Sequence, residues 1–421
     1  MTEEIQKRIE AIKAGKVPDG YKKSIVGIVP GEWQEKRLSD LLRFQNGVNA
    51  EKEKFNSGIK MISVMDILDE RPIVYDVIRG QVDIDEKALN NYSVTYGDIL
   101  FQRSSETVED AGKSNVYMDR DKTATYSGFV IRGKKIADYD PIYLNELLKT
   151  TGVRQQIIKY AAGSQHINVS QDSLARVRVC LASEKEQKRI AEILLKWHKF
   201  IELHENLIEK LELRKKALIQ KLFIPTKNWN ERTFKSLYNK AGEGGTPSTS
   251  ISDYYDGGDI PFIKIEHLCH KYIEKVDSYI TKKGLESSGT WLLPKNCLLF
   301  SNGATIGEAS INKIPVATKQ GILGIVPADD IDVEFLYYYF GTSHFLSLVR
   351  SITTKGTMSI VYLKDLDTLK IKIPSYDIQR KIAQHISLFD NEITLYKETL
   401  KSLIRQHKAM QQLLLSGIVR L

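Results

Sequence analysis

Apolar positions recur at alternating spacings of four and three residues along two long stretches, 184–223 and 376–415. In the first stretch Ile190, Leu194, Trp197, Ile201, His204, Ile208, Leu211, Lys215, Leu218 and Leu222 trace the stripe. In the second, Ile382, Ile386, Phe389, Ile393, Tyr396, Leu400, Leu403, His407, Met410 and Leu414 do so, each 192 residues after its counterpart (382 − 190 = 192). This is the spacing of a coiled-coil seam, with His204, Lys215 and His407 as its polar members. No Pro or Gly interrupts either stretch, and charged residues fill the flanking positions. Each stretch is therefore expected to form one helix of roughly 40 residues, about 60 Å long. A helix of that length outreaches a single globular core, so the two are expected to pair with each other. Because the chain runs globule, helix, globule, helix, an antiparallel pair would put the globules at opposite ends of a rod, related by a pseudo-twofold axis.

The stretches before each helix have a different texture. Residues 30–180 and 225–374 carry short β-rich runs broken by Gly, Asn, Ser and Pro turns, and the two stretches echo each other. Val29-Pro30-Gly31-Glu32-Trp33 has its counterpart in Ile224-Pro225-Thr226-Lys227-Asn228-Trp229, and Ile99-Leu100-Phe101 in Leu298-Leu299-Phe300. One local helix is expected over 142–160 and another over 333–351, where aromatic residues and Leu recur at helical spacing. The expected division is an N-terminal helical segment (1–29), a first domain (30–183), a first long helix (184–223), a second domain (224–375) and a second long helix with a tail (376–421). The fold class is α+β.

Bulk composition narrows the function. With 421 residues, two or more domains are expected, and 42% hydrophobic with 27% charged residues is ordinary for folded domains. No run approaches the length of about 18 apolar residues that a membrane helix needs. The charged start does not follow the layout of a secretory signal and is read as a short helix ending near Gly15, so a cytoplasmic location is expected. Cys180, Cys269 and Cys297 have neither disulfide-frame nor zinc spacing, and half-buried reduced thiols are expected. A net charge of +8 and a pI near 9.0 suit a polyanionic partner.

Catalytic motifs are missing. There is no Pro-Pro dipeptide of the kind that grips a flipped adenine, and Gly242-Glu243-Gly244-Gly245 runs into Thr246-Pro247 rather than a cofactor-binding helix. No Walker loop is present, and acid-x-Lys triplets such as Asp85-Glu86-Lys87 are unremarkable in so charged a chain. The eight histidines show no metal-ligand spacing, and on the seam His204 and His407 are expected to set register. No catalytic residue and no metal ligand is assigned.

Over essentially its whole length the chain resembles the specificity subunits of type I restriction-modification systems. In the second half the resemblance rests on Gly244-Gly245-Thr246-Pro247-Ser248, Tyr255-Asp256-Gly257-Gly258-Asp259-Ile260-Pro261-Phe262-Ile263-Lys264, Ser301-Asn302-Gly303-Ala304-Thr305-Ile306-Gly307, Ala317-Thr318-Lys319-Gln320-Gly321 and Gln379-Arg380-Lys381-Ile382-Ala383. In the first half it rests on the run from Asp98 to Thr107 and on Glu186-Gln187-Lys188-Arg189-Ile190-Ala191. There are departures: residues 44–56 replace the Gly-Gly-Thr-Pro-Ser opening, and Ile378 stands where Glu186 stands in the first copy. The resemblance implies two pseudo-symmetric target-recognition domains separated by two long helices that form an antiparallel coiled coil. It also implies that each domain reads half of a bipartite, asymmetric double-stranded DNA target, while the helix pair sets the spacer and docks two methylation subunits, joined by restriction subunits. S-adenosylmethionine, ATP and Mg are expected on those partners and none of them on this chain, which would be a non-catalytic part of an adenine methyltransferase and site-specific endonuclease.

Polar and basic residues on loops read base edges and phosphates. The candidates in the first domain are Gln102, Arg103, Ser104, Lys113, Ser114, Tyr126, Ser127, Ser164 and Gln165. In the second they are Thr246, Ser248, Lys264, Ser301, Asn302, Thr305, Lys319, Gln320, Lys355 and Thr357. Two alternatives fit the same residues: the specificity subunit of a methylation-only or fused system, and a scaffold that recruits partners without reading DNA.

Overall fold

A computed structural model describes residues 3–49, 51–163, 166–303, 305–353 and 360–421 of the chain. The chain divides into two compact units. Unit one comprises residues 1–205 with 398–421, and unit two residues 206–397.

In each unit a central strand is buried on both faces, and its alternating residues feed two different cores. In unit one the strand is Ile99–Gln102. Ile99 and Phe101 enter a large cluster with Leu42, Tyr143, Leu147 and Val179, while Leu100 points the other way, to Ile62, Tyr117 and Tyr126. In unit two the strand is Leu298–Ser301. Leu298 and Phe300 join Phe234, Phe335, Phe340 and Phe345, while Leu299 joins Ile263, Leu293 and Ile322. Each of these large side chains contributes about 1.5–3 kcal/mol through burial. This is the sequence echo of Ile99-Leu100-Phe101 in Leu298-Leu299-Phe300, seen as position.

Strand order repeats as well. In unit one Leu42–Asn46, Val130–Lys135, Ile99–Gln102 and Ser114–Val116 lie side by side, all antiparallel. In unit two Tyr238–Glu243, Ile322–Pro327, Leu298–Ser301 and Ala309–Asn312 take the same places, extended by Tyr272–Ile273. A second, mixed sheet follows in both: Thr125–Tyr126, Phe55–Ile62 and Gln81–Val82 in unit one, and Ala317–Thr318, Ile260–Ile263 and Tyr279–Ile280 in unit two.

The single local helix expected over 142–160 is two helices, Pro141–Leu148 and Thr151–Tyr160. The expected 333–351 helix is likewise Val333–Phe340 and Ser343–Ile352. Thr150 and Thr342 explain both breaks. Each is the N-cap of the second helix, and its hydroxyl donates back to the carbonyl three residues earlier, Leu147 at 2.6 Å and Tyr339 at 2.7 Å. The N-terminal helix is Glu3–Lys13, ended by Gly15 at φ +72°.

The long helices are Glu184–Leu222 and Tyr376–Leu415. All twenty seam residues are buried or half-buried. Pairing is antiparallel in each unit. In unit one Ile190 and Leu194 share a core with Leu414 and Leu415, and Trp197 stacks on His407 at 6.2 Å. In unit two Lys397 bridges to Glu212 at 2.6 Å, and Leu218 and Leu222 pack beside Ile382 and Ile386. The start of each long helix also packs on the domain before it and is locked there by a glutamine. Gln187 accepts from the Asp140 N–H (3.0 Å) and donates to the Ala182 carbonyl (2.9 Å). Gln379 makes the same bonds to Asp332 (2.9 Å) and Pro374 (3.0 Å).

One departure between the copies now has a physical reason. Glu186 accepts from Trp33 (3.2 Å) and from both arms of Arg420 (2.7 and 3.1 Å). These bonds tie the C-terminal tail into unit one. Ile378, at the matched position, is exposed. The thiols are all free: Cys180 and Cys297 are buried, Cys269 is exposed. Burial pushes the Cys297 thiol up to about 12. Among the described residues, no helix is long and apolar enough to cross a membrane.

Candidate nucleic-acid interface

At one end of the central sheet of each unit, loops converge through a repeated set of main-chain hydrogen bonds. In unit one the Gly47 N–H donates to the Val130 carbonyl (3.1 Å), Val48 to Tyr126 (2.9 Å), Arg103 to Phe129 (2.9 Å), and Val169 to Arg103 (2.9 Å). In unit two Gly244 donates to Ile322 (2.9 Å), Gly245 to Thr318 (3.1 Å), Asn302 to Gly321 (3.1 Å), and Val361 to Asn302 (3.0 Å). The correspondence is one to one, so Gly47 stands where Gly244 stands although the surrounding residues 44–56 look different. Both positions need glycine for the same reason. A Cβ on Gly47 would lie 2.2 Å from the Ser127 carbonyl oxygen, and one on Gly244 would lie 2.1 Å from that of Thr318.

These loops carry Arg103, Ser104 and Ser127 in unit one and Thr246, Asn302, Lys319 and Gln320 in unit two, and Lys113 joins them through the bond from the Gln102 N–H to its carbonyl (2.8 Å). Arg103 is half-buried and donates to the Gly128 carbonyl (3.2 Å), and the Ser104 hydroxyl meets Asn168 at 2.5 Å. Lys113 pairs with Asp110 at 2.5 Å. In unit two the Gln320 N–H donates to the Thr246 hydroxyl (3.4 Å), and the Lys319 N–H to the Ile263 carbonyl (2.8 Å), which puts Lys319 beside Lys264. Lys319, Gln320, Thr246 and Thr305 are exposed; so is Ser248, whose hydroxyl is 2.8 Å from that of Ser250.

The exposure assumed for the candidates fails at five positions. Gln102, Ser114, Tyr126, Ser301 and Asn302 are buried. Tyr126 belongs to the second core of unit one. Gln102 donates to the Ser104 carbonyl (2.9 Å), Asn302 to that of Val361 (3.0 Å), and the Ser301 hydroxyl faces Thr305 at 3.4 Å. These side chains shape the loops from beneath. Ser164, Gln165, Lys355 and Thr357 lie outside the described residues.

Three residues at the unit-one loop end were not singled out from sequence. Phe129 is 67% exposed, a large value for an aromatic ring at a loop tip. Asn49 and Asn168 are exposed beside it in the same loop cluster. The helix offset of 192, carried back into the domains, would have found Phe129, because Ser127-Gly128-Phe129 then aligns with Lys319-Gln320-Gly321.

The family model for the type I restriction modification DNA specificity domain matches the chain twice, over residues 30–213 and 226–406. The chain belongs to the type I specificity family. Each match covers one recognition domain and most of the long helix after it. Relatives agree in extent. A putative type I restriction enzyme MjaX specificity subunit from Methanocaldococcus jannaschii is 25% identical across 96% of this chain and 97% of its own length. The EcoR124I/EcoR124II specificity subunit of Escherichia coli is 26% identical over 50% of this chain and 55% of its own. In fold, this specificity chain is similar to a solved chain described in terms of complex assembly and conformational transition of the type I R-M system. That match has a TM-score of 0.62 and 14% identity, and covers 93% of this chain and 99% of the other. The type I system S subunit from M. genitalium gives 0.52 at 16% identity, over 91% and 96%.

Proposed function

We propose that the two loop ends are the DNA-reading surfaces, each contacting one half of a bipartite and asymmetric double-stranded target. The observation that carries this is the contrast at matched positions. The main-chain bonds are the same, but half-buried Ser127 and exposed Phe129 of unit one correspond to exposed Lys319 and to Gly321 of unit two, and half-buried Arg103 corresponds to the buried Asn302. Base reading depends on which donors, acceptors and apolar groups meet the groove. Two matching scaffolds with different side chains therefore read different sequences. Lys264, Lys319 and Lys113 supply salt-sensitive phosphate affinity, and Arg103, Ser104, Ser127, Thr246 and Gln320 supply base or sugar contacts.

The helix pair sets the spacer and offers the docking face for two methylation subunits. Leu203 and Leu213 on the first long helix and Leu388 on the second are 53%, 60% and 63% exposed off the seam, which suits a protein partner. The chain acts without a catalytic site in the cytoplasm. S-adenosylmethionine, ATP and Mg belong to the methylation and restriction subunits.

Mapping methylated bases in cells carrying this chain with its methylation subunit tests the reading. The expected motif has two different half-sites around an unspecified spacer. A continuous or palindromic motif would contradict it.

A further inference from the structure

Three side chains from three separate elements meet in unit one where the helix pair packs on the first domain. Glu146 comes from the helix Pro141–Leu148, His198 from the first long helix and His407 from the second. One ligand atom from each lies within 4.8 Å of the other two. Glu146 is 1% and His407 8% exposed, and the His198 side chain 13%. Two ring nitrogens, Nδ1 of His198 and Nε2 of His407, are buried without a hydrogen-bond partner.

The matched positions of unit two show what a closed version looks like. Adding 192 to Glu146 and His198 gives Tyr338 and Asp390, and subtracting 192 from His407 gives Lys215. There Asp390 accepts from the Tyr338 hydroxyl and pairs with Lys215, with Lys271 at 3.8 Å. Unit two thus fills the position with a bonded ion pair, whereas unit one holds two imidazoles with orphan nitrogens and a carboxylate. Leaving buried polar atoms unbonded is costly, so the two orphan ring nitrogens of unit one ask for a further partner.

We infer that Glu146, His198 and His407 form a binding site for a zinc-class divalent ion that clamps the first recognition domain to both long helices. Two imidazole nitrogens and one carboxylate oxygen are a donor set this class prefers, and they leave a fourth position open. With donors about 2.1 Å from the metal, tetrahedral geometry puts them about 3.4 Å apart, so binding requires the donors to close in from the present spacing of up to 4.8 Å. Neutral imidazoles are required. Burial pushes both histidines down, His407 to about 4 with the His198 ring adding to the effect. Burial alone would raise the Glu146 carboxyl, but the Lys149 ammonium bonded to it holds it below the usual range.

The carboxylate keeps its outer support. Lys149 pairs with Oε1 at 2.7 Å, and Gln411 donates to Oε2 at 2.6 Å. An oxygen with two lone pairs accepts from Gln411 and binds a metal together, which makes Gln411 an orienting partner of the ligand. The three donors lie far apart in sequence, so metal-ligand spacing along the chain does not reveal them.

The test uses the full-length chain stripped with a chelator and titrated with zinc chloride, then cobalt chloride. The expected result is one saturable ion per chain, a rise in melting temperature with zinc, and the ligand-field absorption of tetrahedral cobalt. A triple variant, Glu146→Tyr, His198→Asp and His407→Lys, installs the set that already packs in unit two. It should fold and bind about 100-fold more weakly or not at all. Glu146→Gln, which keeps the size of the side chain, should weaken binding by about 10-fold or more and serves if the triple variant does not fold. Absence of saturable binding in the wild-type chain overturns the site, as does unchanged affinity in either folded variant.

Discussion

The two units keep their main-chain architecture and change their chemistry at the same two places. At the junction with the helices, unit one has Glu146, His198 and His407, and unit two has Tyr338, Asp390 and Lys215. At the loop end, Arg103, Ser127 and Phe129 of unit one correspond to Asn302, Lys319 and Gly321 of unit two. Between these places the capping aspartates Asp140 and Asp332, the locking glutamines Gln187 and Gln379 and the doubly buried strands are repeated almost bond for bond. Main-chain hydrogen bonds and caps leave the side chains beyond them free to differ, so the duplicated scaffold keeps the first kind of interaction and varies the second.

The harshest way to break this comparison is to alter one copy's helix and spare the other. Deleting residues 200–206 removes one heptad from the first long helix and leaves the second intact. Antiparallel partners then fall out of register, the seam is exposed, and complete loss of soluble, active protein is expected. Deleting 200–206 together with 392–398 keeps the phase. Each helix shortens by about 10 Å, equivalent to roughly three base pairs at 3.4 Å each. Because that change also rotates one half-site by roughly a quarter turn or more, methylation across a library of spacer lengths should show a shorter preferred spacer or no recognition. An unchanged spacer in an active double deletion would remove the helix pair as the ruler.

Smaller changes sharpen the contrast at the loop ends. Arg103→Ala should cost about 1–3 kcal/mol and relax base preference in the first half-site only. Lys319→Ala should weaken binding uniformly across sequences and lower the salt slope by about one. Binding titrations at several salt concentrations against target variants distinguish the two outcomes. A Lys319 effect confined to one base would reverse its assignment.

The architecture was legible because long helices and buried strands write their periodicity into the chain. The seam residues from Ile190 to Leu222 and from Ile382 to Leu414 needed only spacing, and Ile99-Leu100-Phe101 with its echo Leu298-Leu299-Phe300 marked matching β-rich runs, though not that they are buried on both faces. The break at Thr150 and Thr342 was hidden, since apolar periodicity continues across a cap that only a hydroxyl bond reveals. The loop ends were half legible. Residue type pointed to Lys319, Gln320 and Arg103, but it could not separate an exposed Gln320 from a buried Gln102, because burial there is decided by strand pairing far along the chain. Phe129 escaped for the opposite reason, as aromatic residues are ordinarily core.

The central claim is that each recognition domain reads its own half-site. Replacing residues 30–183 with the first recognition domain of a related specificity subunit, and sequencing methylated bases in cells that supply the methylation subunit, tests it most directly. The account predicts a new sequence in one half-site, with the other half-site and the spacer length unchanged. A simultaneous change in both half-sites would contradict it.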